Sequence, residues 1–225
     1  LKSEINKNWD KEKSEYGVCD EKTPESDSSK PSTGVNCEYT RTDGVSILSN
    51  KAKILNCKNT GNITATIINA GGIIGKSTGI IDIEESSNSG EVSSKGNAGG
   101  IIAEAEKSDD SSYLYIYNCS NEGTITQLSS EDSSNLYANT SGIVGAAKIK
   151  ATILKTENNG IVAGINSKSA GVITTAEQEL IVRETNNNGN ISSNSVLGGI
   201  VGQFLNREEK FIISNCKNTA EISGS

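Results

Sequence analysis

Residues able to do chemistry are scarce in this chain, and the first to weigh are its neighbouring acids. Asp82, Glu84 and Glu85 form one group, and Asp109–Asp110, Glu131–Asp132 and Glu208–Glu209 form three adjacent pairs. Two carboxylates facing each other across a glycosidic bond can hydrolyse it, one as acid and the other as nucleophile or base. Here Glu208 and Glu209 stand between Arg207 and Lys210, and the other two pairs lie in Ser-rich segments, which are settings of solvated loops. A polysaccharide lyase would need an Arg or Lys base in an acid-lined groove, and the three Arg, at 41, 183 and 207, do not group. The chain has no His, so Ser–His and Cys–His nucleophiles, imidazole bases and His metal sites are excluded. "SDDSS" and "SSEDSSN" lack the fixed ligand spacing and turn Gly of a tight calcium loop. No catalytic, cofactor-binding or metal-ligating set is expected, and the chain reads as a non-enzyme.

The elements that carry these residues must be unusual. Hydrophobic residues make up 33% of the 225 positions, against about 45–50% in ordinary globular chains. Aromatics are 4%, while Asn, Ser and Gly number 25, 31 and 23. Such a chain is disordered or stacks many copies of a small unit, and 27 Ile favour stacking. The net charge of -7 argues against nucleic acid, whose phosphates need clustered cations. No apolar run nears the length of a membrane span, so no membrane insertion is expected. Leu1 is not an initiator residue, and the sequence reads as a processed or excised chain.

Internal repeats decide the fold class. Six segments align on an asparagine column: Asn59, Asn88, Asn121, Asn158, Asn187 and Asn218, at spacings of 29, 33, 37, 29 and 31 residues. Two positions on stand Gly61, Gly90, Gly123, Gly160 and Gly189, with Ala220 in the last copy. Between copies falls a second motif, "AGGIIG" (70–75), "AGGIIA" (98–103), "TSGIVG" (140–145), "SAGVIT" (169–174) and "LGGIVG" (197–202). Short β-branched runs broken by Asn-Gly-type turns predict strands. A unit of two or three strands cannot bury its apolar face alone and must stack on its neighbours. The expectation is an all-β parallel β-helix, or β-solenoid, of about five to six coils over 46–225, with a charged leader or cap over 1–45. The Asn column is predicted to point inward as a ladder of amides, with Gly giving the positive φ of a sharp corner. Coil-length variation is assigned to insertions at one corner (106–112 and 127–139), and the departure of 169–174 from the motif predicts an irregular fourth coil.

Cys57, Cys119 and Cys216 fall in one repeat column, on coils one, three and six, too far apart to bridge. They are expected as free thiols. Cys19 and Cys37 are expected to form a disulfide stapling the leader, which fits an oxidising compartment.

The pattern Asn-x-Gly-x-aliphatic followed by Gly-Gly-Ile-Val-Gly resembles the GLUG-type repeat of bacterial cell-surface proteins over about 54–222. Such repeats also occur ahead of the catalytic region in some immunoglobulin A-cleaving metallopeptidases. The resemblance implies a right-handed solenoid on an exported, surface-attached protein, and it carries no catalytic residues. The expected function is a non-enzymatic adhesin, spacer or fibre segment, extracellular or on the cell surface. The alternative is an accessory repeat region of a larger exported peptidase, and a polysaccharide-active β-helix enzyme is a more remote one. Its partner would be a protein or glycan surface, and the last copy, which stops before a Gly-Gly motif, predicts either that the protein continues past Ser225 or that copies associate end to end through the C-terminal coil.

Overall fold

The structure is a computed structural model that describes residues 46–128 and 138–224, with side chains from Ala52 onward. The expectations placed on the leader, on Cys19, Cys37 and Arg41, and on Glu131–Asp132 lie outside the described residues. Those described form strands joined by turns, and every strand pair is parallel. They build four sheets, of ten, six, six and five strands, each strand pairing with its counterparts one coil before and one coil after. One circuit runs from Ile74–Glu84 in the ten-stranded sheet to Ser87–Asn88, Val92–Ser94 and Ala98–Gly99, and re-enters the large sheet at Ile102–Glu106. The chain is a β-solenoid of about six coils.

Alternation sets which side chains fill the interior. Along Ile74–Glu84, Ser77, Gly79, Ile81 and Ile83 are buried while Lys76, Thr78, Ile80, Asp82 and Glu84 between them are partly exposed. Stacking then turns each inward position into a column. Ile54, Ile83, Ile116, Ile153, Val182 and Ile213 are in register in the large sheet. Ile63, Val92, Ile125, Val162, Ile191 and Ile222 form a second column across the interior. Each fully buried Ile contributes roughly 1.5–3 kcal/mol. The columns replace the aromatic core that this composition cannot supply.

Three expectations about the coils need correction. The positive-φ corner is not at the glycines: it is held by Asn56, Glu85, Asn118, Lys155, Glu184 and Asn215, three residues before each ladder Asn, with φ between 50° and 54°. The N–H groups of the first five donate to carbonyls of the following coil, as Glu85 does to Tyr117 O at 2.9 Å and Lys155 to Arg183 O at 3.1 Å. Stacking thus holds a conformation that costs a non-Gly residue roughly 1–2 kcal/mol. The insertions enter at two places. Residues 107–112 split the large-sheet strand into Ile102–Glu106 and Tyr113–Tyr117, whereas 128–138 lie between Ile125–Gln127 and Asn139–Ser141 in two other sheets. The coil carrying 169–174 is regular, because Lys168–Ala170 and Ile173–Ala176 pair in register on both sides.

The two ends of the described stack differ. Ile54, Cys57 and Asn59 in the first coil are 0%, 1% and 3% exposed. Their sixth-coil counterparts Ile213, Cys216 and Asn218 are respectively exposed, half-buried and exposed.

Candidate functional site

The repeated residues meet inside the solenoid. Asn59 Nδ2 donates to Asn88 Oδ1 at 2.7 Å, Asn88 to Asn121 at 2.8 Å, Asn121 to Asn158 at 2.8 Å, Asn158 to Asn187 at 2.7 Å, and Asn187 to Asn218 at 2.6 Å. The same amide nitrogens donate to the carbonyls of Gly61, Gly90, Gly123, Gly160, Gly189 and, in the last coil, Ala220, at 2.7–2.9 Å. The expected inward ladder is therefore present, and it locks its own turn as well as the next coil.

Glycine is needed at the turn for contact. A Cβ on Gly160 would lie 2.0 Å from Gly123 O and 2.7 Å from Asn121 Nδ2. The second Gly of the other motif has the same reason from the opposite wall. A Cβ on Gly100 would lie 2.5 Å from Asn121 Cγ, and one on Gly142 would lie 2.2 Å from Asn158 Cγ. Each Gly-Gly motif seats against the ladder Asn of the next copy, which is why the two motifs recur together.

The thiol column is divided. Cys119 and Cys216 are free, and burial pushes the Cys119 thiol up to about 12, which leaves it unreactive. Cys57 is not the free thiol expected: it is disulfide-bonded. Column spacing forbids pairing within the column but does not constrain a bridge out of it.

A charged cluster on the outer face of the large sheet was not anticipated. Register aligns Lys76 with Glu104 and Thr78 with Glu106, while Lys148 follows Ala147, the partner of Ala105. Glu104 is only 6% exposed although it faces outward. Its Oε1 lies 3.3 Å from both Lys76 Nζ and Lys148 Nζ, and Oε2 accepts from Asn69 Nδ2 at 3.2 Å and Asn97 Nδ2 at 2.5 Å. Glu106 binds the same two ammonium groups at 2.8 and 2.7 Å. Hydrogen bonding with the Glu104 carboxyl, and then with Lys148 and Lys76, holds Glu106 down at about 2. That direction opposes general acid catalysis, which needs one carboxyl raised towards neutrality. Asn69, Asn97 and Asn139 make a shorter second ladder beside the cluster, with Asn97 N donating to Asn69 Oδ1 and Asn139 N to Asn97 Oδ1, both at 3.0 Å. Its signal lay in the sequence: counting four and six residues on from the second Gly of each motif gives Lys76, Glu104, Glu106 and Lys148.

The acids singled out from the sequence do not converge. Asp109 caps its own turn, accepting from Ser111 N at 2.9 Å and Ser111 Oγ at 2.6 Å, and Asp110 pairs with Lys107 at 2.5 Å. Glu208 N donates to Asn206 Oδ1 in an exposed turn. Glu84 pairs with Lys53 at 3.2 Å, and Glu85 occupies a corner. Among the described residues no three acids or cysteines gather as a metal site would require.

Fold and site together define a β-solenoid whose recurrent residues are engaged in stacking. No family model matches the chain, and no curated protein matches it. Among solved structures it is similar to a protein from Bacteroides ovatus described as a "putative immunoglobulin A1 protease", with 16% identity and a TM-score of 0.47. That likeness covers 80% of this chain and 59% of the other, so the chain spans less than two thirds of its neighbour's length.

Proposed function

We propose that this chain is a rigid, non-catalytic repeat module of an exported protein, serving as a spacer or adhesin stalk of the GLUG type. The observation that carries the reading is the commitment of the Asn column. All six side chains bond their own turn, and five of them also donate to the next coil. Residues repeated for catalysis or recognition would leave some of that hydrogen-bonding capacity facing outward. Six coils at about 4.8 Å make a stiff element roughly 25–30 Å long. The Cys57 disulfide supports an oxidising, extracellular setting. An accessory region of a larger exported enzyme would use the same scaffold, so both readings share one test. Deleting 89–121 removes one coil while keeping the ladder in phase, and the shortened module should fold and lose reach by one coil. Wild-type protein assayed on polysaccharides and peptides should show no turnover. Turnover abolished by Glu104→Gln, in a variant that remains folded, would refute the scaffold role.

A further inference from the structure

Only two of the chain's 25 asparagines are followed by glycine, Asn159–Gly160 and Asn188–Gly189. Each stands one residue after a ladder Asn, at the same place in its coil. The other coils put Thr60, Ser89, Glu122 and Thr219 there, so stacking itself does not call for Asn. The two side chains join four coils: Asn159 Nδ2 donates to Glu122 Oε1 at 2.7 Å, Asn188 Nδ2 to Asn159 Oδ1 at 2.8 Å, and Thr219 Oγ1 to Asn188 Oδ1 at 2.7 Å. Unlike the inward ladder this row meets water, with Asn159 half-buried and Asn188 exposed.

An Asn-Gly pair holds a latent reaction. The glycine nitrogen attacks Asn Cγ, because no side chain hinders its approach. The new C–N bond closes a cyclic imide, the Cγ–Nδ2 bond breaks, and the side-chain nitrogen leaves as ammonia with the glycine N–H proton. Water then opens one of the two imide carbonyls and gives aspartate or isoaspartate, the latter with the main chain running through Cγ. In the folded coils both nucleophiles are engaged. Gly160 N–H donates to Asn121 O at 3.1 Å and Gly189 N–H to Asn158 O at 3.2 Å. Neither turn has room to rotate, since a Cβ on Gly160 or Gly189 would lie 2.0 Å from Gly123 O or 1.9 Å from Gly160 O.

We propose that Asn159 and Asn188 are deamidation sites that stacking keeps closed, so that a coil that opens is marked irreversibly. Deamidation of Asn159 replaces the donor to Glu122 with a second carboxylate, and like charges at that distance repel. Deamidation of Asn188 is milder, because the new carboxylate meets the neutral Asn159 amide oxygen and still accepts from Thr219. Isoaspartate at either site lengthens the main chain beside a glycine that has no space to move. This modification goes beyond the scaffold role and holds for a stalk and an accessory region alike.

The test incubates the full chain, folded in buffer or unfolded in guanidinium chloride at the same pH and temperature, and follows each asparagine by peptide mass spectrometry. Unfolded chains should deamidate first at Asn159 and Asn188. Folded chains should do so at least about tenfold more slowly, because only the opened fraction reacts. After refolding, chains modified at Asn159 should be depleted from the folded fraction. In urea, Asn159→Asp should lower the unfolding midpoint more than Asn188→Asp, with the gap narrowing as added salt screens the Glu122 pair. If Asn159→Asp does not fold at all, the two deamidation rates still decide. Equal rates in folded and unfolded chains, deamidation led by other asparagines, or equal midpoints for the two variants would each overturn the proposal.

Discussion

Asn121 lies in the middle of the amide ladder with its polar groups committed, and alanine there removes three hydrogen bonds at once. Its Oδ1 accepts from Asn88 at 2.8 Å, and its Nδ2 donates to Gly123 O and Asn158 Oδ1, both at 2.8 Å. The deletion orphans one N–H of Asn88 and two acceptors, where Asn88, Asn121 and Asn158 are all 0% exposed. At roughly 1–3 kcal/mol for each unsatisfied buried group, the sum is about 3–9 kcal/mol before relaxation. Closure of the small void should bring it to about 3–5 kcal/mol, more than a single lost bond would cost. Asn218→Ala removes the same side chain from an exposed coil, where water can reach the orphaned Asn187 amide, and should cost below about 1 kcal/mol. Urea unfolding followed by circular dichroism compares the two, and unchanged slopes would show that the loss is one of stability. If Asn121→Ala and Asn218→Ala cost the same, the ladder is not the source of stability, and the reasoning built on it fails.

Four further outcomes are expected. Gly160→Ala forces a methyl onto Gly123 O and should lower stability by about 2–3 kcal/mol in the same urea assay. The folded-state value of Glu106, about 2, lies below its ordinary 4.5, so its contribution is present above about 4.5 and is lost as pH falls towards 2. Urea midpoints measured through that window should fall for wild type and flatten in Glu106→Gln. At pH 8, with a thiol at about 12, only about one Cys119 in 10⁴ is a thiolate, so native protein should resist iodoacetamide there while Cys216 reacts faster and Cys57 reacts only after reduction. The sixth coil exposes Phe211, Ile213 and Ile222, so light scattering on the 225-residue chain by itself should find concentration-dependent association through that face, lost in Ile213→Pro.

The solenoid was legible because stacking demands the same residue at the same place in each coil, and the Asn column obeys that in six copies of six. The corner residue escaped because Asn, Glu and Lys all occupy it, and bonds from the following coil hold them where isolated propensity would call for Gly. The purpose of the turn glycines was misassigned for a related reason. A neighbouring carbonyl that leaves no room for a Cβ and a positive φ leave the same mark in sequence, and only the neighbouring coil distinguishes them. The cluster around Glu104 joins residues as far apart as Lys76 and Lys148, so it needed register as well as repeat phase. The tyrosine strand is visible as "YLYIY", whose alternation puts the three rings on one face.

The seating of each Gly-Gly motif on the asparagine of the following coil bears on how a gene for such a protein can change length. An unequal exchange between repeats keeps every glycine facing an asparagine when its two breakpoints share a phase, wherever in the coil they fall. A loss of 29, 33 or 37 residues can be equally harmless, because the spacing between ladder positions is itself variable. A loss of one residue fewer within a strand shifts its alternation and sends inward side chains to the outside. Phase between copies, rather than the number of residues removed, is what selection on such a gene has to protect.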